Sequence, residues 1–220
     1  MRQCELLDLG RLEWMKAFRI QQQFVEEKKR EGGIDRFLFV EHPHVVTLGR
    51  NAKEGQVLAS PEILERSGIA FEETDRGGGA TYHGPGQVVG YPILDLREWK
   101  RDVRAYFRGV EQFLIDALAS LGVEAERSLE RGHEGVWVGG AKIAAIGIHI
   151  SRWITSHGFA LNVNTDLSYF GGIIPCGIRD KGVTSLAVLL GAPVDEAEVA
   201  RRLIAHFGDI FGYDDMGTQR

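Results

Sequence analysis

The 220-residue sequence predicts an α+β fold in which helices pack on a mixed or antiparallel sheet. Three observations carry this. Short strand-like runs cluster in the middle of the chain, three helical stripes surround them, and the regular strand–helix alternation of a dinucleotide-binding fold is missing. The first stripe is Trp14, Ala17, Phe18, Phe24 and Val25, stopped by Gly32-Gly33. Phe37 to Val40 and Val45 to Leu48 read as strands separated by the turn-like His42-Pro43-His44. Gln87 to Leu94 is a further strand, and Pro92 suits its end or a sheet edge better than a central position. Val110, Phe113, Leu114, Ala117, Leu118 and Leu121 give the second helix, closed by Gly122. Val136-Trp137-Val138, Gly139-Gly140 and Lys142 to Ile150 read as a hairpin, and Gly158 to Val163 as another strand. Asp195 followed by Glu198 resembles a capping box, with Val199, Leu203, Phe207 and Ile210 behind it.

Composition bounds the function. Apolar residues make up 44% and charged residues 26%, close to ordinary globular chains. Twenty-six basic against thirty-one acidic residues give a net charge of −5, which disfavours non-specific binding of nucleic acid. No apolar run approaches the length of a membrane span. No repeat or linker divides the chain, so residues 1–220 are expected to form one domain. Cys4 and Cys176 read as free thiols in a reducing compartment, so a cytoplasmic protein is expected.

The 28 glycines are nearly double the usual share of roughly 7%. The densest segment runs Arg76-Gly77-Gly78-Gly79-Ala80-Thr81-Tyr82-His83-Gly84-Pro85-Gly86. It lacks the Lys-Ser/Thr pair of a phosphate loop, and the dinucleotide fingerprint fails where its third glycine should come. Missing Cβ atoms would instead let main chain lie against a long, thin ligand, with Arg76, Tyr82 and His83 framing the mouth; the bland alternative is a tight turn.

Cys176, between Pro175 and Gly177, is either an inert core thiol or a nucleophile held on a fixed loop. As a nucleophile it needs a cation or base beside it, because an ordinary thiol is only a few per cent ionised at neutral pH. Lys142 sits in an unusually apolar run. It either points outward to solvent or points inward, where a lysine would serve a thiol as base or ion-pair partner. Neither a His-Glu-x-x-His arrangement nor zinc-spaced cysteines occur, and no metal is expected; a Gly-x-Ser-x-Gly elbow is also absent. His42 and His44 shape a turn, and His157 begins a strand from which it could line a pocket. Arg97, Lys100, Arg101, Arg104 and Arg108 would form one face of a helix running into the Val110 stripe, either a solvated surface or a dock for an acidic protein.

Taken in order, several stretches resemble the lipoyl(octanoyl) transferase family. They are Glu41-His42-Pro43 with Thr47-Leu48-Gly49-Arg50, Arg76-Gly77-Gly78 with Thr81-Tyr82-His83-Gly84-Pro85-Gly86-Gln87, and Tyr91-Pro92-Ile93. The series continues through Lys142-Ile143-Ala144-Ala145-Ile146-Gly147, His157-Gly158-Phe159-Ala160-Leu161-Asn162-Val163-Asn164, Pro175-Cys176-Gly177 and Val183-Thr184-Ser185-Leu186. The resemblance implies the fold of lipoate and biotin protein ligases. It also implies transfer of an octanoyl group from acyl carrier protein to a lysine of lipoyl domains or of glycine-cleavage H protein, without a cofactor. Cys176 would carry the acyl thioester and Lys142 would lower its pKa. Arg76 to His83, Ala145, Ile146 and Gly147, and Gly158, Phe159 and Ala160 would contact the acyl group. Backbone N–H groups near Cys176 and Gly77-Gly78 are the expected oxyanion donors. The rivals are an ATP-dependent ligase on the same fold and a non-catalytic binder of acyl carrier protein or fatty acid.

Overall fold

The computed structural model describes residues 2–128, 130, 132–173 and 182–219. Cys176 lies outside these residues. Eleven strands and five helices are described: β1 Gln3–Arg11, α1 Trp14–Glu31, β2 Asp35–Glu41, β3 Val45–Leu48, α2 Pro61–Arg66, β4 Ala70–Glu73, β5 Ala80–His83 and β6 Gln87–Ile93. The remainder are α3 Val103–Ser120, β7 Glu126–Arg127, β8 Val136–Val138, β9 Ala141–Ser151, β10 Ile154–Asn162, α4 Leu186–Leu190, α5 Glu196–Phe211 and β11 Asp215–Gln219, with a 3-10 turn at Leu167–Gly172. The large sheet runs β11-β1-β2-β6-β10-β9-β8-β7, and a small one runs β4-β3-β5. β1 pairs parallel with β2 and β11, while β2, β6, β10 and β9 pair antiparallel in turn, so the sheet is mixed as expected.

β2 is apolar on both sides because both sides are covered. Phe37 and Phe39 point to the face where α3 and α5 pack, into a core with Phe113, Phe159, Phe207 and Phe211. Leu38 and Val40 point to the opposite face, where α1 buries Ala17 and Val25 against Val89, Tyr91 and Ala160. The β8–β9 hairpin closes through Gly139 and Gly140 at φ 56° and 81°, the left-handed pair a two-residue turn requires. No described helix is long and apolar enough to cross a membrane.

One local expectation holds and two change. Pro92 is the last residue but one of β6, at a strand end as expected, although that strand is central, flanked by β2 and β10. It is tolerated because β10 turns aside there: the β6–β10 register ends at Gly90↔Phe159, and His157 adopts φ 55° just before Gly158. The capping box at α5 is half formed. Asp195 accepts from the Ala197 N–H, but Glu198 turns to Arg201 and Arg202, at 2.6 and 2.7 Å. The basic run is not one helical face. α3 starts at Val103, capped by Asp102, so Arg97, Lys100 and Arg101 precede it. Arg97 is paired with Asp95 and Arg108 with Glu111.

One buried carboxylate ties the ends of the chain together. Asp35 receives Lys28 at 2.8 Å, Arg2 at 2.9 Å, the Asp95 N–H at 2.9 Å and the Tyr213 hydroxyl at 2.5 Å. Cys4 is buried beside it, and burial followed by the Asp35 charge pushes its thiol far up, so it stays protonated and inert.

Candidate functional site

The site forms where the α1 side of the large sheet faces the small sheet. Three adjacent strands supply the floor, and their registers align it in rows. Gln87 pairs with Asn162, Val89 with Ala160, Ala160 with Ala145, and Gly158 with Gly147. A narrow slot runs over these rows, with Trp14 at one wall and Arg76, Gly78, Thr81 and His83 above. A second, tight hollow shares Thr81, Ala145 and Ala160 with it and reaches Lys142, Gln87, Asn162 and Phe170. From the Asn162 row to the Gly158 row is four residues along β10, roughly 13 Å at the usual strand rise.

The glycine-rich segment is the roof. The Gly77 N–H donates to the Ile148 carbonyl at 2.9 Å, so it is committed to the sheet and not to an oxyanion. The Arg50 and Asn51 N–H groups hold the Arg76 and Gly78 carbonyls at 2.9 and 3.1 Å. A Cβ on Gly147 would come within 2.9 Å of the Gly77 oxygen, so that glycine lets roof and floor approach. The Arg76 side chain is buried, donating to the Thr47 carbonyl and hydroxyl at 2.8 and 2.7 Å. Alternation along β5 splits the predicted residues: Thr81 and His83 face the slot, whereas Ala80 and Tyr82 join the small sheet's own core with Val46, Leu64 and Phe170. Gly79 packs against Gln56, whose oxygen accepts the Ala80 N–H.

Lys142 is 6% exposed and therefore points inward. Its Nζ donates to the Glu134 carbonyl at 2.9 Å and lies 4.9 Å from the centre of the Trp137 ring. Its backbone is clasped by the chain that follows the Cys176 segment: Lys142 N–H donates to Gly182, and Thr184 N–H donates to Lys142. Ala145, Ile146, Gly147, Gly158, Phe159 and Ala160 line the slot, as do Arg76, Gly78, Thr81 and His83; Gly77, Gly79, Ala80 and Tyr82 shape the roof from outside it.

Three histidines are held neutral. His42 donates from Nδ1 to the Leu12 carbonyl at 2.7 Å and accepts at Nε2 from the Tyr91 hydroxyl at 2.8 Å; burial lowers it to about 4. His83 is lowered to about 3, by burial first and then by His42 and Arg76. His157 lines the slot, hydrogen-bonded to Asp75 at 2.7 Å and stacked on Phe18, and burial lowers it against the raising effect of Asp75. Its left-handed backbone is fixed by an N–H bond to Gln21 at 2.8 Å.

Trp14, Val89, Tyr91, Gln87, Asn162 and Phe170 also line the two hollows, and the residue reading did not single them out as site residues. The two-residue period of Gln87, Val89 and Tyr91 is a signal that one side of β6 faces something common. Phe170, in a 3-10 turn, carries no such signal.

The family model for the lipoyl protein ligase A/B catalytic domain matches residues 14–208. The chain belongs to this family. An octanoyltransferase of Solibacter usitatus is 56% identical over 97% of this chain and 96% of its own length. Among solved structures of the lipoyl ligase A/B fold, the bipartite lipoate protein ligase of Thermoplasma acidophilum superposes with a TM-score of 0.76 at 19% identity, covering 100% of this chain and 88% of that one. The biotin protein ligase of Aquifex aeolicus matches with a TM-score of 0.58 at 13% identity, over 94% and 70%. The family member described here is an enzyme, an acyltransferase.

Proposed function

We propose that the chain acts as one catalytic domain that moves an octanoyl group from octanoyl-acyl carrier protein to a lysine of lipoyl domains or glycine-cleavage H protein, through a thioester on Cys176. The observation that carries this reading is the apolar slot that starts at a buried lysine and runs roughly 13 Å along β6, β10 and β9. Seven C–C bonds of about 1.5 Å each, staggered, span roughly 9 Å, so an eight-carbon chain fits within its length. Burying that chain contributes roughly 5–6 kcal/mol at about 0.8 kcal/mol per methylene. The name octanoyltransferase of the Solibacter relative supports the octanoyl transfer alone, and the Thermoplasma ligase is described together with its E2 lipoyl domain.

In this reading Lys142 stabilises the Cys176 thiolate, which attacks the donor's thioester carbon. The carbon–sulfur bond to pantetheine breaks, and the leaving sulfur takes a proton by way of Lys142. The acceptor lysine then attacks the Cys176 thioester as a free amine, forming the amide. The proton it sheds returns to the Cys176 sulfur. One thioester is exchanged for another and then for an amide, so no nucleotide need be consumed. A reactive thiolate suits a reducing compartment such as the cytoplasm.

The test is mass spectrometry after incubation with octanoyl-acyl carrier protein and no ATP. A single octanoyl adduct on the peptide containing Cys176, lost in Cys176→Ala, is expected. Acyl-adenylate made from ATP and octanoate, with no adduct, would reject the reading in favour of a ligase.

A further inference from the structure

Aromatic rings wall off one end of the slot. Trp14, Tyr91 and His157 line the slot but not the hollow at Lys142, whereas Thr81, Ala145 and Ala160 border both. Along β10 the order is Asn162, Ala160, Gly158, His157, and on β6 Tyr91 lies two residues past Val89, the partner of Ala160. Trp14 stacks on His157. The three rings therefore stand beyond the shared rows, on the side away from Lys142. Trp14 and Tyr91 are 4% exposed and His157 is 1% exposed, so protein and not solvent lies behind this wall.

The wall is held in place from several directions. The Trp14 indole stacks on Phe18 at 5.1 Å and on His157 at 6.3 Å, each at an interplanar angle of 13°. It is also hydrogen-bonded to Tyr91, whose hydroxyl donates to His42 Nε2 at 2.8 Å. His157 is fixed by Asp75 at 2.7 Å. Swinging the indole aside would break ring stacking and a polar contact together, so this end of the slot is rigid.

Selection by length needs such a wall. Each further methylene that finds cover strengthens binding by roughly fourfold, so a slot open at its far end would favour chains longer than octanoyl. A dodecanoyl chain has four carbons more than octanoyl, and its eleven C–C bonds span roughly 14 Å. That exceeds the roughly 13 Å from the Asn162 row to the Gly158 row. Resting on the transfer reading above, we propose that Trp14 is the residue that sets the upper limit of acyl length. Its indole blocks the slot beyond the Gly158 row, so that an eight-carbon chain enters and a twelve-carbon chain is turned away by steric exclusion.

The test is a competition. Octanoyl- and dodecanoyl-acyl carrier protein are supplied at equal concentration with an isolated lipoyl domain, and intact mass gives the amounts of the two amide products. Wild type should make octanoyl amide almost exclusively. Trp14→Ala should raise the dodecanoyl-to-octanoyl ratio at least roughly tenfold, whatever its total rate, and should form dodecanoyl amide faster than wild type does. Trp14→Phe, a smaller ring that keeps the stack, should move the ratio the same way by less, and it decides the matter where Trp14→Ala does not fold. Val199→Ala truncates the core on the opposite face of the sheet and should leave the ratio within about twofold of wild type. An unchanged ratio in the folded Trp14 variants overturns the proposal. So does an equal rise in Val199→Ala, which would assign the effect to general loosening, and so does ready use of dodecanoyl by wild type. A wild-type enzyme that makes no octanoyl amide sinks the transfer reading itself, before any variant is assayed.

Discussion

Lys142 is a long side chain in apolar surroundings, with its ammonium between a backbone carbonyl and an indole face. Lys142→Met keeps most of the volume and removes the charge. We expect it to fold and to lose at least about 100-fold in the rate of Cys176 acylation, the lower end of what acid–base groups contribute. Stopped-time mass spectrometry of the adduct, beside a thermal melt, checks both halves. The apolar run around Lys142 left its orientation open; the hairpin that pairs it with Trp137, and so brings Glu134 near, was readable locally, whereas its contact with Thr184, 42 residues later, was not. His157 was legible as a pocket residue, whereas its contact with Asp75, 82 residues earlier, was not. His42 reads locally as a turn former and is in fact a buried cross-brace between Leu12 and Tyr91.

Among elements, the strands around the slot were readable because their apolar and glycine content is dense and local. β1 and β11 were not. β1 carries Glu5, Asp8 and Arg11 among its apolar residues, and its structure depends on parallel partners far away in sequence. The start of α3 was misread because a run of basic residues with helical spacing looks the same whether it lies in the helix or ahead of it. α3 packs on the sheet face opposite the slot. Reversing Arg101 and Arg104 to glutamate should therefore leave the Michaelis constant for octanoyl-acyl carrier protein within about twofold at low salt, where surface charge is least screened. A large rise would restore that region as a docking surface. Between roof and floor the fit is tight. Gly147→Ala places a Cβ 2.9 Å from the Gly77 oxygen and 3.1 Å from Arg76 Cδ, and should cost about 1–3 kcal/mol in urea unfolding while lowering kcat/KM for the acyl donor.

For the molecule as a whole, the buried histidines set an acid limit. His42 and His83 remain neutral in the fold down to about 4 and about 3. In the unfolded chain a histidine takes its proton near pH 6.5. The unfolded state thus binds more protons below that point, so the stability present above pH 6.5 is lost as the pH falls. Two such groups give a slope of up to about 2.7 kcal/mol per pH unit between roughly pH 6 and 4. Urea midpoints measured from pH 7.5 to 4.5 should fall along that slope, and His42→Gln should remove about half of it. An acid response carried by carboxylates alone would begin nearer pH 4.5 and would not change in that variant. The mixed sheet and its helices were foreseeable from the pattern of runs, but the division into two sheets, and the slot between them, follow from pairings that only the folded chain reveals.

The Asp35 knot has a consequence for how the chain is made. Arg2, Lys28 and Asp35 are made well before Tyr213, which follows Asp35 by 178 residues, and β11 comes after it. Until then the outer edge of β1 has no partner, and the carboxylate keeps a vacancy that water must fill. Synthesis from the N-terminus cannot finish this sheet strand by strand. β1 waits for β11, and this edge of the sheet can close only once that distant strand has been made.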